Sequence, residues 1–140
     1  MLAGKEREVV SDQMRVLLID DETVFLDSMS KVLGARGYTV GVARSGTEGL
    51  QELGVHEYDV VVLDQRMPGM DGVTTLDHIR NTHPILPVIM LSGHAQMATA
   101  VEAMNHGAVD YMLKPALVDK LCERLQTAME KKSLLEHLPR

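Results

Sequence analysis

Short, unbroken apolar runs alternate along the chain with stretches whose apolar residues recur at helical spacing. The runs are Val16 to Ile19, Val60 to Leu63 and Val88 to Leu91, with shorter ones near Tyr38 to Val42 and Tyr111 to Leu113. Continuous rather than alternating apolarity suits strands covered on both faces, as in a parallel sheet. Between the runs, Phe25, Met29, Val32 and Leu33 share one helical face, and Gly37 is placed to end that helix. Ser45-Gly46-Thr47-Glu48 reads as a capping box opening the next helix, with Leu50 and Leu53 facing inward. Val73, Leu76 and Ile79 form a third stripe, and Met97, Ala98, Val101 and Met104 a fourth, expected in the core. The fifth and clearest runs through Val118, Leu121, Cys122, Leu125, Ala128 and Met129. Strand and helix thus alternate five times, which predicts an α/β fold: a parallel sheet with helices on both faces.

Length fits one domain with a single core: 140 residues. The expected division is a flexible segment 1–13, a folded domain 14–132, and a tail or linker start over 133–140. With 3 % aromatic residues and no Trp, the core must be aliphatic, and ten Met residues are available to fill its irregular gaps. The net charge of −6 argues against direct nucleic-acid contact, which needs clustered Lys and Arg. One cysteine, Cys122, allows no internal disulfide and suits a reducing compartment. The N-terminus carries no apolar stretch of signal-peptide length, and no run is long enough to span a bilayer. The expectation is a soluble cytoplasmic protein.

In an open α/β sheet, ligands bind beyond the carboxyl ends of the strands. The first predicted strand ends in Asp20-Asp21, the third in Asp64, the fourth in Ser92 and the fifth in Lys114. Only the second, ending in Ala43-Arg44, receives no role. Two carboxylates 4 Å apart repel by roughly 4 kcal/mol at an effective dielectric near 20, so the cluster needs protons or a cation. A few hard oxygen ligands suit Mg²⁺. Lysine, hydroxyl and metal together can receive phosphate oxygens, with a carboxylate as nucleophile. Taken singly, each residue has an ordinary explanation: acids at a helix start, a turn aspartate, a loop serine, a solvated lysine. Their joint placement at one rim is the signal. The histidines His56, His78, His83, His106 and His137 show no ligand spacing and are expected at the surface.

The motifs Val16-Leu17-Leu18-Ile19-Asp20-Asp21-Glu22, Val60-Val61-Val62-Leu63-Asp64, Met67-Pro68-Gly69-Met70-Asp71-Gly72, Val88-Ile89-Met90-Leu91-Ser92-Gly93-His94-Ala95 and Gly107 to Pro115 resemble those of two-component response-regulator receiver domains. The resemblance runs from about Met14 to Lys132. It implies a flavodoxin-like (βα)5 doubly wound sandwich, five-stranded and parallel, in strand order 2-1-3-4-5. It implies that Asp64 accepts a phosphoryl group from the phospho-His of a histidine kinase or histidine phosphotransfer protein. Mg²⁺ would be held by Asp20, Asp21, Asp64 and the backbone carbonyl of Arg66. Ser92 would hydrogen-bond the phosphoryl group, Lys114 would pair with it, and the Lys114–Pro115 bond would be cis. Tyr111 would swing inward as Ser92 moves, reshaping the face of the fourth helix, fifth strand and fifth helix for an output partner. Arg66 and His94 occupy variable positions that tune how long the phosphoryl group survives. Such a domain phosphorylates and dephosphorylates itself but is no metabolic enzyme.

The Ser92 to Ala95 stretch and the tail are similar to receivers attached to ATPase-type transcription activators. Ser133 to Leu138 could open a helical linker or support a homodimer. Three other classes fit less well. A haloacid-dehalogenase-like phosphatase wants a second Asp where Arg66 stands. Dinucleotide or flavin binding wants a Gly-, Ser- or Thr-rich phosphate loop where Asp20-Asp21-Glu22 stands. A receiver-like interaction module acting without phosphorylation usually lacks the acceptor or the lysine, and both are present.

Overall fold

The computed structural model describes residues 14–93, 97–115 and 118–138, with the side chains of Met97 and Ala98 also outside the description. The expected flexible segment 1–13, His94, and the end of the tail at 139–140 lie outside the described residues.

Five strands alternate with five helices. They are β1 (Arg15–Ile19), α1 (Thr23–Ala35), β2 (Thr39–Ala43), α2 (Gly46–Val55), β3 (Val60–Asp64), α3 (Gly72–Thr82), β4 (Val88–Ser92), α4 (Met97–Asn105), β5 (Asp110–Leu113) and α5 (Val118–Glu136). The strands form one parallel sheet in the order β2-β1-β3-β4-β5, as the resemblance implied.

Successive strand residues point to opposite faces, so each apolar run feeds two cores. Val16, Leu18, Val60, Val62, Ile89 and Leu91 meet Leu26, Met29 and Leu33 of α1 and Leu121, Leu125 and Ala128 of α5. Their neighbours Leu17, Ile19, Val61, Leu63, Val88 and Met90 meet Leu53 of α2, Leu76 and Ile79 of α3, and Ala103 of α4. The central strands β3 and β4 are buried at every position. The edges β2 and β5 are largely half-exposed.

Helix ends follow the local chemistry. Ser45 caps α2 by accepting from the Glu48 N–H, while the Glu48 carboxylate reaches back to the Arg44 N–H rather than to the cap residue itself. At the end of α1, Gly37 adopts φ 97°, its N–H bonds the Gly34 carbonyl, and the Tyr38 N–H bonds that of Leu33. This is the Schellman closure that favours glycine.

The structure corrects two of the predicted stripes. Val101 and Met104 of α4 are about half exposed, and among the described side chains of that helix the buried one is Ala103. Two of its faces are apolar, one of alanines and one of larger side chains, and periodicity alone cannot choose between them. The small face wins because it lets the helix approach the sheet. On α1, Val32 is exposed and Leu26 takes the inward place.

Gly72 opens α3 behind the Asp71 cap, and a Cβ there would stand 2.6 Å from both the Asp64 carbonyl oxygen and the Gln65 Cα. Both obstacles are backbone, so nothing nearby can rotate aside. Gly72→Ala is therefore expected to destabilise the domain by about 3 kcal/mol or more. Gly34→Ala, in α1 with nothing within 4 Å of the new methyl, should stabilise it by roughly 0.5–1 kcal/mol. Urea unfolding of the two variants beside the parent checks both signs, and equal effects would contradict the packing argument.

Candidate functional site at the carboxyl ends of the strands

The register of the sheet brings the predicted residues together. Ile19 pairs with Leu63, so Asp20 and Asp64 are neighbours one step further along β1 and β3. Asp64 pairs with Leu91 and Ser92 with Leu113, which puts Ser92 and Lys114 on the other side of Asp64. Backbone bonds continue the ladder past the strand ends: Asp20 N–H to Ala43, Gln65 N–H to Leu91 and Lys114 N–H to Ser92. The side chains thus sit on a continuous hydrogen-bonded rim rather than on free loops.

Asp20, Asp64 and Ser92 are buried, whereas Asp21 is exposed. One carboxylate oxygen from each of Asp20, Asp21 and Asp64 lies within 4.8 Å of the others. Lys114 faces them: its Nζ is 2.6 Å from Asp20 Oδ2, 2.5 Å from Glu22 Oε1 and 3.9 Å from Asp64 Oδ1. It also stands 4.6 Å from the centre of the Phe25 ring, close enough for a cation–π attraction. The Lys114–Pro115 peptide is cis.

Burial, and then the charge of Asp20, push the Asp64 carboxyl up to about 7, against the opposing pull of Lys114. Burial works to lower the Lys114 pKa, but the close carboxylates of Asp20 and Glu22, and behind them the charge of Asp64, outweigh it and the net direction is up. The donor set is three hard carboxylates, and the Asp20 Oδ2 atom is buried with its ion pair to Lys114 but no aligned hydrogen bond. That set fits a small hard dication such as Mg²⁺.

Arg66 has an exposed side chain beside an open cleft of about 480 Å³, shared with Gln65, Met67, Asp71 and Glu102. Tyr111 is half-buried on β5, its hydroxyl 3.3 Å from Thr99 Oγ1 of α4. His94 lies outside the described residues. Sequence reasoning gave no site role to Glu22, which follows Asp20-Asp21 directly, and placed Phe25 only on a helical stripe. Among the other histidines, His106 bonds Asp77 at 2.7 Å and joins α4 to α3.

A five-stranded parallel sheet with an acidic pocket, a hydroxyl and a lysine at its carboxyl rim defines a class of phosphate-responsive α/β domains. The family model for the response regulator receiver domain matches residues 16–126, and the chain belongs to that family. It is 35 % identical over 118 residues to the transcriptional regulatory protein ZraR of Escherichia coli, covering 84 % of this chain and 27 % of the relative. It is 38 % identical over 120 residues to the C4-dicarboxylate transport transcriptional regulatory protein DctD of Rhizobium meliloti, covering 86 % of this chain and 26 % of the relative. The chain therefore spans about a quarter of the length of these curated relatives. Among solved structures, a response regulator receiver domain from Clostridium thermocellum superposes with a TM-score of 0.82 at 35 % identity, covering 87 % of this chain and 98 % of that one. Phosphorylation-dependent switching in two-component signalling is the function of this family.

The raised Asp64 pKa fixes a pH dependence. Its folded value, about 7, lies above its ordinary value of 3.8. Its contribution to stability is therefore complete below about pH 4 and is lost as the pH rises through about 7. Asp64→Asn cannot ionise, so without divalent ions its stability advantage over the parent should grow between pH 5 and pH 8 by on the order of 2 kcal/mol. Urea unfolding in EDTA at the two pH values measures it; an advantage independent of pH would show that Asp64 is not held under repulsion.

Proposed function

We propose that this domain is a phosphorylation switch in which Asp64 accepts a phosphoryl group from the phospho-His of a sensor histidine kinase or a histidine phosphotransfer protein. The observation that carries the reading is the buried Asp64 carboxylate at the end of β3, within 4.8 Å of two further carboxylates and 3.9 Å from Lys114 Nζ. An Asp64 oxygen attacks phosphorus, the P–N bond to the donor imidazole breaks, and its electron pair stays on the nitrogen. Asp20, Asp21, Asp64 and the backbone carbonyl of Arg66 would hold Mg²⁺, which would supply neutralisation of charge on the transferring group.

Ser92 and Lys114 take phosphoryl oxygens, the one by a hydrogen bond and the other by charge. They supply the differential interaction without which phosphorylation could not shift a conformational equilibrium. Movement of Ser92 toward the phosphoryl group opens space for Tyr111, and the face of α4, β5 and α5 changes shape for a downstream output protein or domain. The switching unit is residues 14–132, with 133–140 as a tail or the start of a linker. The α5 helix continues to Glu136 and leaves Leu134, Leu135 and Leu138 exposed, which supports a linker or a homodimer contact. No described helix is long and apolar enough to cross a membrane. The working location is the cytoplasm, with no direct nucleic-acid contact by this domain.

Intact-mass spectrometry after incubation with acetyl phosphate tests the acceptor. One added phosphoryl group that requires Mg²⁺ and is missing in Asp64→Asn is the expected result. No adduct, together with no NMR response to beryllofluoride and Mg²⁺, would leave an unphosphorylated interaction module as the better account. Arg66 and His94 set the access of the water that hydrolyses phospho-Asp64. In the same mass measurement, followed over time, Arg66→Ala and His94→Ala should each change the decay rate, and two unchanged rates would refute the tuning role.

A further inference from the structure

Lys114 is held mainly on the side of its pocket away from Asp64. Its Nζ contacts Asp20 at 2.6 Å and Glu22 at 2.5 Å, and the Phe25 ring lies behind it at 4.6 Å, whereas Asp64 Oδ1 is 3.9 Å off. Asp20 borders Asp64, so holding it keeps Lys114 near the acceptor. Glu22 and Phe25 belong to the start of α1 and draw the ammonium outward.

Glu22 occupies the N-cap position of α1, yet its side chain makes no cap hydrogen bond. Glutamate is not among the favoured cap residues. Its backbone is fixed from both sides: its N–H donates to Asp20 Oδ1 at 2.9 Å, and its carbonyl accepts from the Leu26 N–H at 3.1 Å. The backbone from which the carboxylate extends is thus held in place, and the carboxylate's partner is Lys114.

We propose that Glu22 is a positioning residue that holds Lys114 away from Asp64 in the resting domain and so sets how readily the site takes up a phosphoryl group. This rests on the acceptor reading above. A phosphoryl group on Asp64 must draw Lys114 off Glu22, so the two acids compete for one ammonium. Glu22 is 62 % exposed in its side chain, which keeps the competition modest, and removing it should raise uptake about threefold.

Two measurements on the full chain test this. In EDTA, the ¹⁵N resonance of Lys114 Nζ should move in Glu22→Gln; an unmoved resonance overturns the pairing whether or not the protein is phosphorylated. With Mg²⁺ and acetyl phosphate, an Asp64 oxygen attacks phosphorus and acetate leaves with the electron pair of the broken P–O bond. By intact mass, this uptake should run about threefold faster in Glu22→Gln than in the parent, with no such gain when Glu22→Gln is added to Lys114→Gln. A slower or unchanged rate overturns the proposal. So does a gain that persists without Lys114, because it would report only the lost negative charge. If the parent takes up no phosphoryl group in Mg²⁺ and shows no NMR response to beryllofluoride, the acceptor reading falls and the effect on uptake falls with it, while the resonance still decides whether Glu22 holds Lys114.

Discussion

Carboxylates crowded at the end of a buried sheet, with a lysine reaching across them from the neighbouring rim, are the constraint on which the rest of this structure depends. A sheet buried on both faces can carry ionised groups only at its ends, where strand backbone gives way to solvent. Asp20 and Asp64 stand at that limit, each nearly inaccessible, and Lys114 faces them with a side chain only 13 % exposed. Pairs this buried contribute little net stability, because removing two charges from water offsets much of their attraction. The arrangement is better understood as stored repulsion: Asp64 is pushed up to about 7 chiefly by burial and by Asp20. A cation that relieves the repulsion gains the corresponding free energy, and an arriving phosphoryl group, which adds negative charge, needs such a cation beside it.

The repulsion persists because the strands beneath it cannot give way. β3 and β4 are buried throughout and β1 nearly so, and the side chains below Asp20 and Asp64 interlock with helices on both faces. Gly72 extends the same logic to the loop after β3. Its missing Cβ lets the chain return against the Asp64 carbonyl, and its N–H bonds the Gln65 carbonyl at 2.9 Å. The acidic end of the pocket is therefore rigid. Lys114 and Tyr111 stand on or beside β5, an edge strand paired on one side only.

The five-fold alternation and the central strands were legible because burial on both faces leaves unbroken apolar runs. The acidic rim was legible because strand ends are where chemistry can collect in such a fold. The inward face of α4 was not, since Ala103 carries no more apolar signal than the exposed Val101 and Met104. Glu22 was passed over for a related reason. A glutamate at a helix start is ordinary by charge alone, and only the geometry distinguishes a side chain aimed at Lys114 from one left in solvent.

How α4 is attached bears on where a signal leaves the domain. α1 anchors itself with Leu26, Met29 and Leu33, each worth roughly 1.5–3 kcal/mol of burial. Among the described side chains of α4, the buried one is Ala103, which removes far less apolar surface from water. Over its described side chains α4 thus buries less apolar surface than α1, and elements held by few buried contacts are the ones that open first. The same helix carries Thr99, whose hydroxyl meets that of Tyr111, and its exposed Val101 and Met104 and the exposed Leu113 of β5 form apolar surface beside that contact. The Tyr111–Thr99 contact thus joins β5 to a helix whose described side chains are lightly buried, on elements that leave Val101, Met104 and Leu113 at the surface.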